Sequence, residues 1–253
     1  MAHHLLDLIE IDEELTAGTY SRLARQVLVE ITGRGSLPVV VGGTGFYLRA
    51  LLEGLSPAPV RDQTLRSRLM KIADRRPGAL HRFLSNRDPE AAAKIHPNDH
   101  QKLIRAIELT LLAGQPASRT QSLPRDSLRG FAILKLGLSP ERALLYRRLD
   151  ERSARMFRAG LLAETKAILD AGYSPCCKPL QSLGYKQAVN VVTGKTPLAD
   201  AIVECQIKTR QYAKRQMTWF RADSTIRWLG GFGDDQNIQR QALELMQEFV
   251  THS

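Results

Sequence analysis

Apolar positions recur in two distinct rhythms along this chain of 253 residues. From Thr19 to Gly33, the residues Tyr20, Leu23, Val27 and Ile31 fall at helical spacing. That spacing predicts a helix capped by Thr19 or Ser21 and ended by Gly33 or Gly35. The run "LPVVVGG", starting at Leu37, breaks the rhythm: it is short, β-branched and wholly apolar, the pattern of a buried parallel strand. A helix followed by a buried strand is half of a βαβ unit. "FAILKLGL" (Phe131 to Leu138) and "TIRWLGG" (Thr225 to Gly231) read as two further strands.

Between the first two strand patterns, only the helical period persists. Punctuated by Pro and Gly, it predicts helices at Thr64–Asp74, Gly78–Leu84, Pro89–Ile95 and Asp99–Ala113. In the last of these Leu103, Ile107 and Leu111 point inward, Asn98 with Gln101 forms a capping-box-like start, and Gly114 stands at the C-cap position. "PASRTQSLPRDS" reads as the loop leading back. After Leu138 helices dominate again, with Ser139 capping "PERALLYRRLDERSARMF" and Glu141 in its first turn. The expected architecture is an α/β parallel-sheet core (residues 1–56), an all-helical insertion (57–130), and a C-terminal continuation of the core with further helices (131–253).

Composition narrows the function. No apolar run approaches the roughly 20 residues of a membrane helix, and the acidic start "MAHHLLDLIEIDEEL" lacks the basic n-region of a signal peptide, so a cytoplasmic protein is expected. Cys176, Cys177 and Cys205 are odd in number and lack C-x-x-C spacing, which favours reduced, structural thiols. His3, His4 and Asp7 match no metal-site spacing. Thirty-six Lys and Arg against 26 Asp and Glu give a net charge of +10, which suits a polyanionic partner if the cations cluster.

They do cluster in "KTRQYAKRQMTWFR", Lys208 to Arg221. On a helix, Arg210, Lys214 and Arg221 share one stripe, while Lys208 and Arg215 lie nearly opposite, beside Tyr212 and Trp219. Ala213, Met217 and Phe220 take a third face. The pattern fits a helix packed on one side that lines a basic, aromatic groove on another, as phosphate contact plus base stacking requires. The plainer reading is an amphipathic helix with snorkelling cations. Gln101 and Arg105, one turn apart with Lys102 beside them, suit an RNA backbone or an ordinary surface. "LQSLGYKQ" (Leu180 to Gln187) reads as a Gly-Tyr turn before a helix. In "VVVGGTGFYLRALLEG" the P-loop pattern and G-x-G-x-x-G are both missing, so Gly42 and Gly43 read as permitting a sharp turn.

Together "HHLLD", "LPVVVGGTGFYLRALLEGL", "KIHPNDHQKLIRAIE", "SLGYKQ" and "TRQYAKRQMTWFR", in this order from His3 to Arg221, resemble the tRNA dimethylallyltransferase (tRNA isopentenyltransferase) family. The resemblance implies a P-loop-NTPase-like α/β fold whose helical insertion embraces the tRNA anticodon stem-loop. It also implies transfer of the dimethylallyl group of dimethylallyl diphosphate, with Mg²⁺, to the exocyclic amine of the adenosine 3′ of the anticodon. By the same matching Thr44, Arg66, the segment Gln101, Lys102, Leu103, Ile104 and Arg105, and the turn Gln181, Ser182, Leu183, Gly184, Tyr185 and Lys186 are expected tRNA contacts. So is the helix segment Ala213, Lys214, Arg215, Gln216, Met217, Thr218, Trp219 and Phe220. Arg152 is matched to the diphosphate.

Family members carry a first strand, a glycine-rich P-loop with its lysine, and a catalytic aspartate upstream of the segment matching "HHLLD". This sequence begins two residues before that segment, so no catalytic residue and no metal ligand are assigned, and an exposed hydrophobic sheet edge is expected. The family activity in a monomer is one reading, with Met1 marking a truncation or mis-assigned start. A partial paralogue that binds tRNA without chemistry is the alternative. A kinase-like small-molecule enzyme with a helical lid is a third, which the basic aromatic helix disfavours.

Overall fold

A computed structural model describes residues 2–252. The chain divides into two units, one formed by residues 1–48 and 129–253 and the other by Arg49–Leu128. After an irregular N-terminal stretch, helix α1 spans Ala17–Gly33. Thr16 caps it, its Oγ1 accepting from the Thr19 N–H at 3.1 Å, so the helix starts two residues earlier than its periodicity predicts. The buried stripe shifts with it, to Ala17, Ser21, Ala24 and Leu28, and Tyr20, Leu23, Val27 and Ile31 sit half-buried alongside.

The strand expected at Leu37–Val41 does not form. Its side chains are exposed, Val41 to 89%, and no described strand lies beside it. A β-branched run is a strand only when a neighbour satisfies its backbone groups. The run is exposed apolar backbone outside any sheet, so the hydrophobic sheet edge expected from the sequence is not seen there. It leads through Gly42–Thr44 into helix α2, Gly45–Leu52.

The second unit is helical throughout: α3 (Gln63–Arg75), α4 (Ala79–Arg87), α5 (Pro89–Lys94), α6 (His100–Ala113) and α7 (Ala117–Gln121). The first four match the periodic segments closely. The fifth replaces part of the expected loop. Asp99, not Asn98, caps α6 by accepting from the Lys102 N–H at 3.1 Å, and Gly114 ends it in the left-handed conformation at φ +64°. Helix α6 is buried around most of its girth, through Leu103, Ile104, Ile107 and Leu109, whereas Leu111 turns outward at 47% exposure. Leu69, Leu80 and Leu84 pack around it. Each such side chain contributes about 1.5–3 kcal/mol by leaving water. Asp88 ties the unit together, accepting from Ala91 N–H (3.0 Å), Ser118 N–H (2.8 Å) and the Ser118 hydroxyl (2.8 Å). Burial alone would raise its pKa, but these hydrogen bonds win and hold it below the usual carboxylate range.

Back in the first unit, strands β1 (Leu136–Leu138) and β2 (Arg227–Leu229) pair in parallel, with Gly137 opposite Trp228. The α/β class is thus observed, with the sheet reduced to these two short strands among the described residues. Around it lie α8 (Arg142–Met156), kinked at Ala159 and Gly160 into α9 (Leu162–Asp170), then α10 (Tyr185–Val192), α11 (Leu198–Arg221) and α12 (Gln236–His252). Glu141, not Ser139, occupies the cap position of α8. Phe157, Leu161, Ala188, Ala201 and Cys205 form the core that holds α10 against the first half of α11. Lys135 and Asp223 pair at 2.6 Å and fasten the end of α11 to the entrance of β1. That pairing, chiefly the Lys135 hydrogen bond, pulls the Asp223 carboxyl down to about 2.

Candidate nucleic-acid interface

Helix α11 has two halves with different surroundings. Its first half is anchored, with Ala201 and Cys205 buried and Gln206 donating to the Asp150 carbonyl at 3.1 Å. At the midpoint Arg210 grips both carboxylate oxygens of Asp150 on α8, at 2.7 and 2.5 Å. Arg210 therefore fastens the helix, and the stripe it was expected to share with Lys214 and Arg221 is not a continuous free surface.

The second half opens outward. Gln211, Lys214, Arg215, Thr218 and Trp219 line a shallow depression between the two cationic stripes read from the sequence, so Lys214 and Arg215 face it from opposite sides. Neither cation has a carboxylate partner among the described residues, and the Arg215 guanidinium lies over the Tyr212 ring, 5.7 Å from its centroid. Trp219 is 45% exposed. Cations without a carboxylate partner beside a part-exposed indole ring are the ingredients of phosphate contact plus base stacking. Ala213 is buried, and Met217 and Phe220 are half-buried on the packed side, so those three support the helix and present little to a ligand.

The glycine turn sits directly against this face. Gln216 Nε2 donates to the Gly43 carbonyl at 2.8 Å. A Cβ on Gly43 would lie 2.2 Å from that nitrogen, and a Cβ on Gly45 would lie 2.1 Å from Trp219 Nε1. The glycines are thus explained by close approach to α11. Neither has a positive φ. Thr44, between them, is exposed and lends its carbonyl to the first turn of α2, receiving the Tyr47 N–H at 2.9 Å. Its hydroxyl makes no hydrogen bond among the described residues. Thr44 thus stands between two glycines packed on Gln216 and Trp219 of a helix more than 170 residues further along the chain.

The family model for IPP transferase matches residues 1–223. The chain is 50% identical over 248 residues to the tRNA dimethylallyltransferase of Solibacter usitatus, spanning 98% of this chain and 81% of that protein. This chain belongs to the IPP transferase family. It is also 51% identical over 245 residues to the tRNA dimethylallyltransferase of Koribacter versatilis, covering 96% of this chain and 80% of that one. Among solved structures it resembles the tRNA isopentenylpyrophosphate transferase of Bacillus halodurans (TM-score 0.66, 32% identity), over 99% of this chain and 77% of that one. A eukaryotic dimethylallyltransferase acting on tRNA superposes with a TM-score of 0.73 at 25% identity, over 96% of this chain and 64% of its own.

Other residues expected from the family pattern divide by surroundings. In the turn before α10, Gln181 donates to the Pro175 carbonyl at 2.8 Å, and Gly184 is buried with its N–H on Gln187 Oε1 at 3.0 Å. The Tyr185 hydroxyl donates to Glu164 at 2.7 Å, which pushes its pKa up to about 12. Ser182, Leu183 and Lys186 remain exposed. No hydrogen bond or ion pair among the described residues links this turn to Lys214 or Trp219. Arg152 is exposed on α8 without an ion-pair partner among the described residues.

In the helical unit, Gln101 and Lys102 are exposed, Lys102 pairing with Asp99 at 2.7 Å. Leu103 and Ile104 are core residues, 0% and 1% exposed, so their side chains are unavailable to RNA. Arg66 and Arg105 both engage Glu108, at 3.1 and 2.6 Å. Sequence reasoning missed Glu108. A carboxylate directly after Ile107 and one turn beyond Ile104 was the available signal. Among the described residues no group of three or more His, Cys, Asp or Glu could hold a metal ion. No described helix is long and apolar enough to cross a membrane.

Proposed function

We propose that this chain is a tRNA dimethylallyltransferase, moving the dimethylallyl group of dimethylallyl diphosphate to the exocyclic amine of the adenosine 3′ of the anticodon. In that reaction the amine nitrogen forms a bond to the allylic carbon, the carbon–oxygen bond to diphosphate breaks, and the nitrogen loses a proton. The amine of a stacked base cannot reach an allylic carbon, so the target nucleotide must leave its stack. The carrying observation is the α11 face, where Trp219 offers a surface for a base and Lys214 and Arg215 offer charge for phosphates, with the Thr44 turn packed against the same helix. The names borne by relatives about 50% identical support the same reading.

The test is to incubate the chain with dimethylallyl diphosphate, Mg²⁺ and an unmodified tRNA carrying adenosine at that position, then analyse the digested nucleosides by mass spectrometry. Isopentenyladenosine is the expected product, and Trp219→Ala should lower its yield. Salt-sensitive tRNA binding without product would instead support RNA recognition without transfer. Absence of both binding and product would overturn both readings.

A further inference from the structure

Glu108 is the carboxylate that reading leaves unused. It sits on α6, fully buried at 0% exposure. Its Oε1 accepts the Asp62 N–H at 2.7 Å, at the start of α3. Its Oε2 is shared by two guanidinium groups, Arg66 Nη1 at 3.1 Å and Arg105 Nη1 at 2.6 Å. Arg105 is held further by its Nη2 on the Pro59 carbonyl, at 3.2 Å. Each arginine keeps part of its side chain in solvent, 25% for Arg66 and 30% for Arg105. Each also carries five N–H donors in a planar fork, and the remaining donors meet no acceptor among the described residues.

One oxygen thus brings two guanidinium groups together that would otherwise repel. Two cations against one buried carboxylate leave an excess positive charge at the surface. As a device for stability alone this is a poor choice, because well-packed apolar residues do as well or better than a buried ion triad. As a device for holding two forks at a fixed separation it is effective, since bidentate contact to phosphate oxygens depends on geometry as much as on charge.

We propose that Glu108 is a positioning residue that sets Arg66 and Arg105 as a paired clamp for a phosphodiester of the RNA substrate. This rests on the RNA-binding reading above. Charge and geometry predict opposite signs for Glu108→Gln. The substitution removes a negative charge and keeps both arginines, so simple electrostatics predicts tighter RNA binding, whereas loss of the clamp predicts weaker binding.

The experiment measures equilibrium binding of an anticodon stem-loop RNA to the full chain between 50 and 300 mM salt, for wild type, Glu108→Gln, Arg66→Lys and Lys214→Ala, with melting temperatures recorded in parallel. For Glu108→Gln the expected result is a roughly tenfold loss of affinity and a salt slope shallower by about 1, the value of one phosphate contact. If that variant does not fold, Arg66→Lys carries the test, because it keeps the charge and loses the fork; a loss of at least about threefold is expected. Unchanged or tighter binding by the folded variants, with Lys214→Ala weakened, would overturn the clamp and leave RNA recognition by α11 intact. Failure of the wild type to bind would overturn both.

Discussion

Gly45→Ala separates close approach from backbone freedom as the reason for the glycine turn. The new Cβ would lie 2.1, 2.2 and 2.7 Å from Nε1, Cδ1 and Cε2 of Trp219. Carbon contacts settle near 3.5–4.0 Å, so the rigid indole must retreat by at least about 1 Å. Two terms oppose each other in stability. Alanine in place of glycine in a helix is favourable by about 0.5–1 kcal/mol, and overpacking costs about 1–3 kcal/mol. The net loss of stability therefore lies between about zero and 2.5 kcal/mol. Function should suffer more, because a stacked base contributes about 1–3 kcal/mol and the displaced ring is the proposed stacking surface. At 1.4 kcal/mol per decade that is roughly a 5- to 150-fold loss of affinity for an anticodon stem-loop. The assay is fluorescence anisotropy with labelled stem-loop, accompanied by indole emission in a Trp228→Phe background, since the chain holds two tryptophans. Gly43→Ala is the internal comparison, because its Cβ meets only the flexible end of Gln216 and should cost little. Stem-loop affinity within twofold of wild type, together with unchanged Trp219 emission, would refute the reasoning.

Three further outcomes follow from the same geometry. Lys214→Ala should flatten the salt dependence of RNA binding by about 1 in log–log slope, whereas Arg210→Ala should lower the melting temperature and leave that slope unchanged, as titration of binding against salt will show. Because the Asp223 carboxyl is depressed in the folded state from 3.8 to about 2, it contributes stability that is complete above pH 4 and drains away as pH falls toward 2. Asp223→Asn should abolish that part of the acid dependence in denaturant titrations between pH 2 and 6. Gly54→Ala should destabilise the helical unit by about 2 kcal/mol or more, measured by urea unfolding, because Gly54 sits at φ +76° with a Cβ position 2.2 Å from the Asp126 carbonyl oxygen.

Helices with both an apolar period and a stop signal were legible in the sequence to within one to three residues, as α3 to α6 demonstrate. Caps were less so: Thr16 and Asp99 each had a neighbour of similar capping ability one to three residues away, and Glu141 takes the cap position of α8 without a side-chain cap bond. The Leu37–Val41 run was misread since a strand's existence depends on a partner that local pattern does not contain. The basic aromatic segment of α11 was legible as a helix with cations on two stripes, but not that Arg210 would be taken by Asp150, a contact made 60 residues away in sequence. Glu108 was passed over because a charge on an amphipathic helix normally faces water, and only the packing around α6 turns it inward.

The union of Gln216 with Gly43 spans 173 residues of sequence. At a synthesis rate of about 5–20 residues per second, the glycine turn leaves the ribosome roughly 10–35 s before its partner helix exists. The helical unit, drawn from one uninterrupted stretch between Arg49 and Leu128, is finished within that interval, while the other unit needs both ends of the chain. The nascent protein therefore sets Arg66 and Arg105 on Glu108 before α11 exists, so the two surfaces proposed to meet RNA are completed at different times.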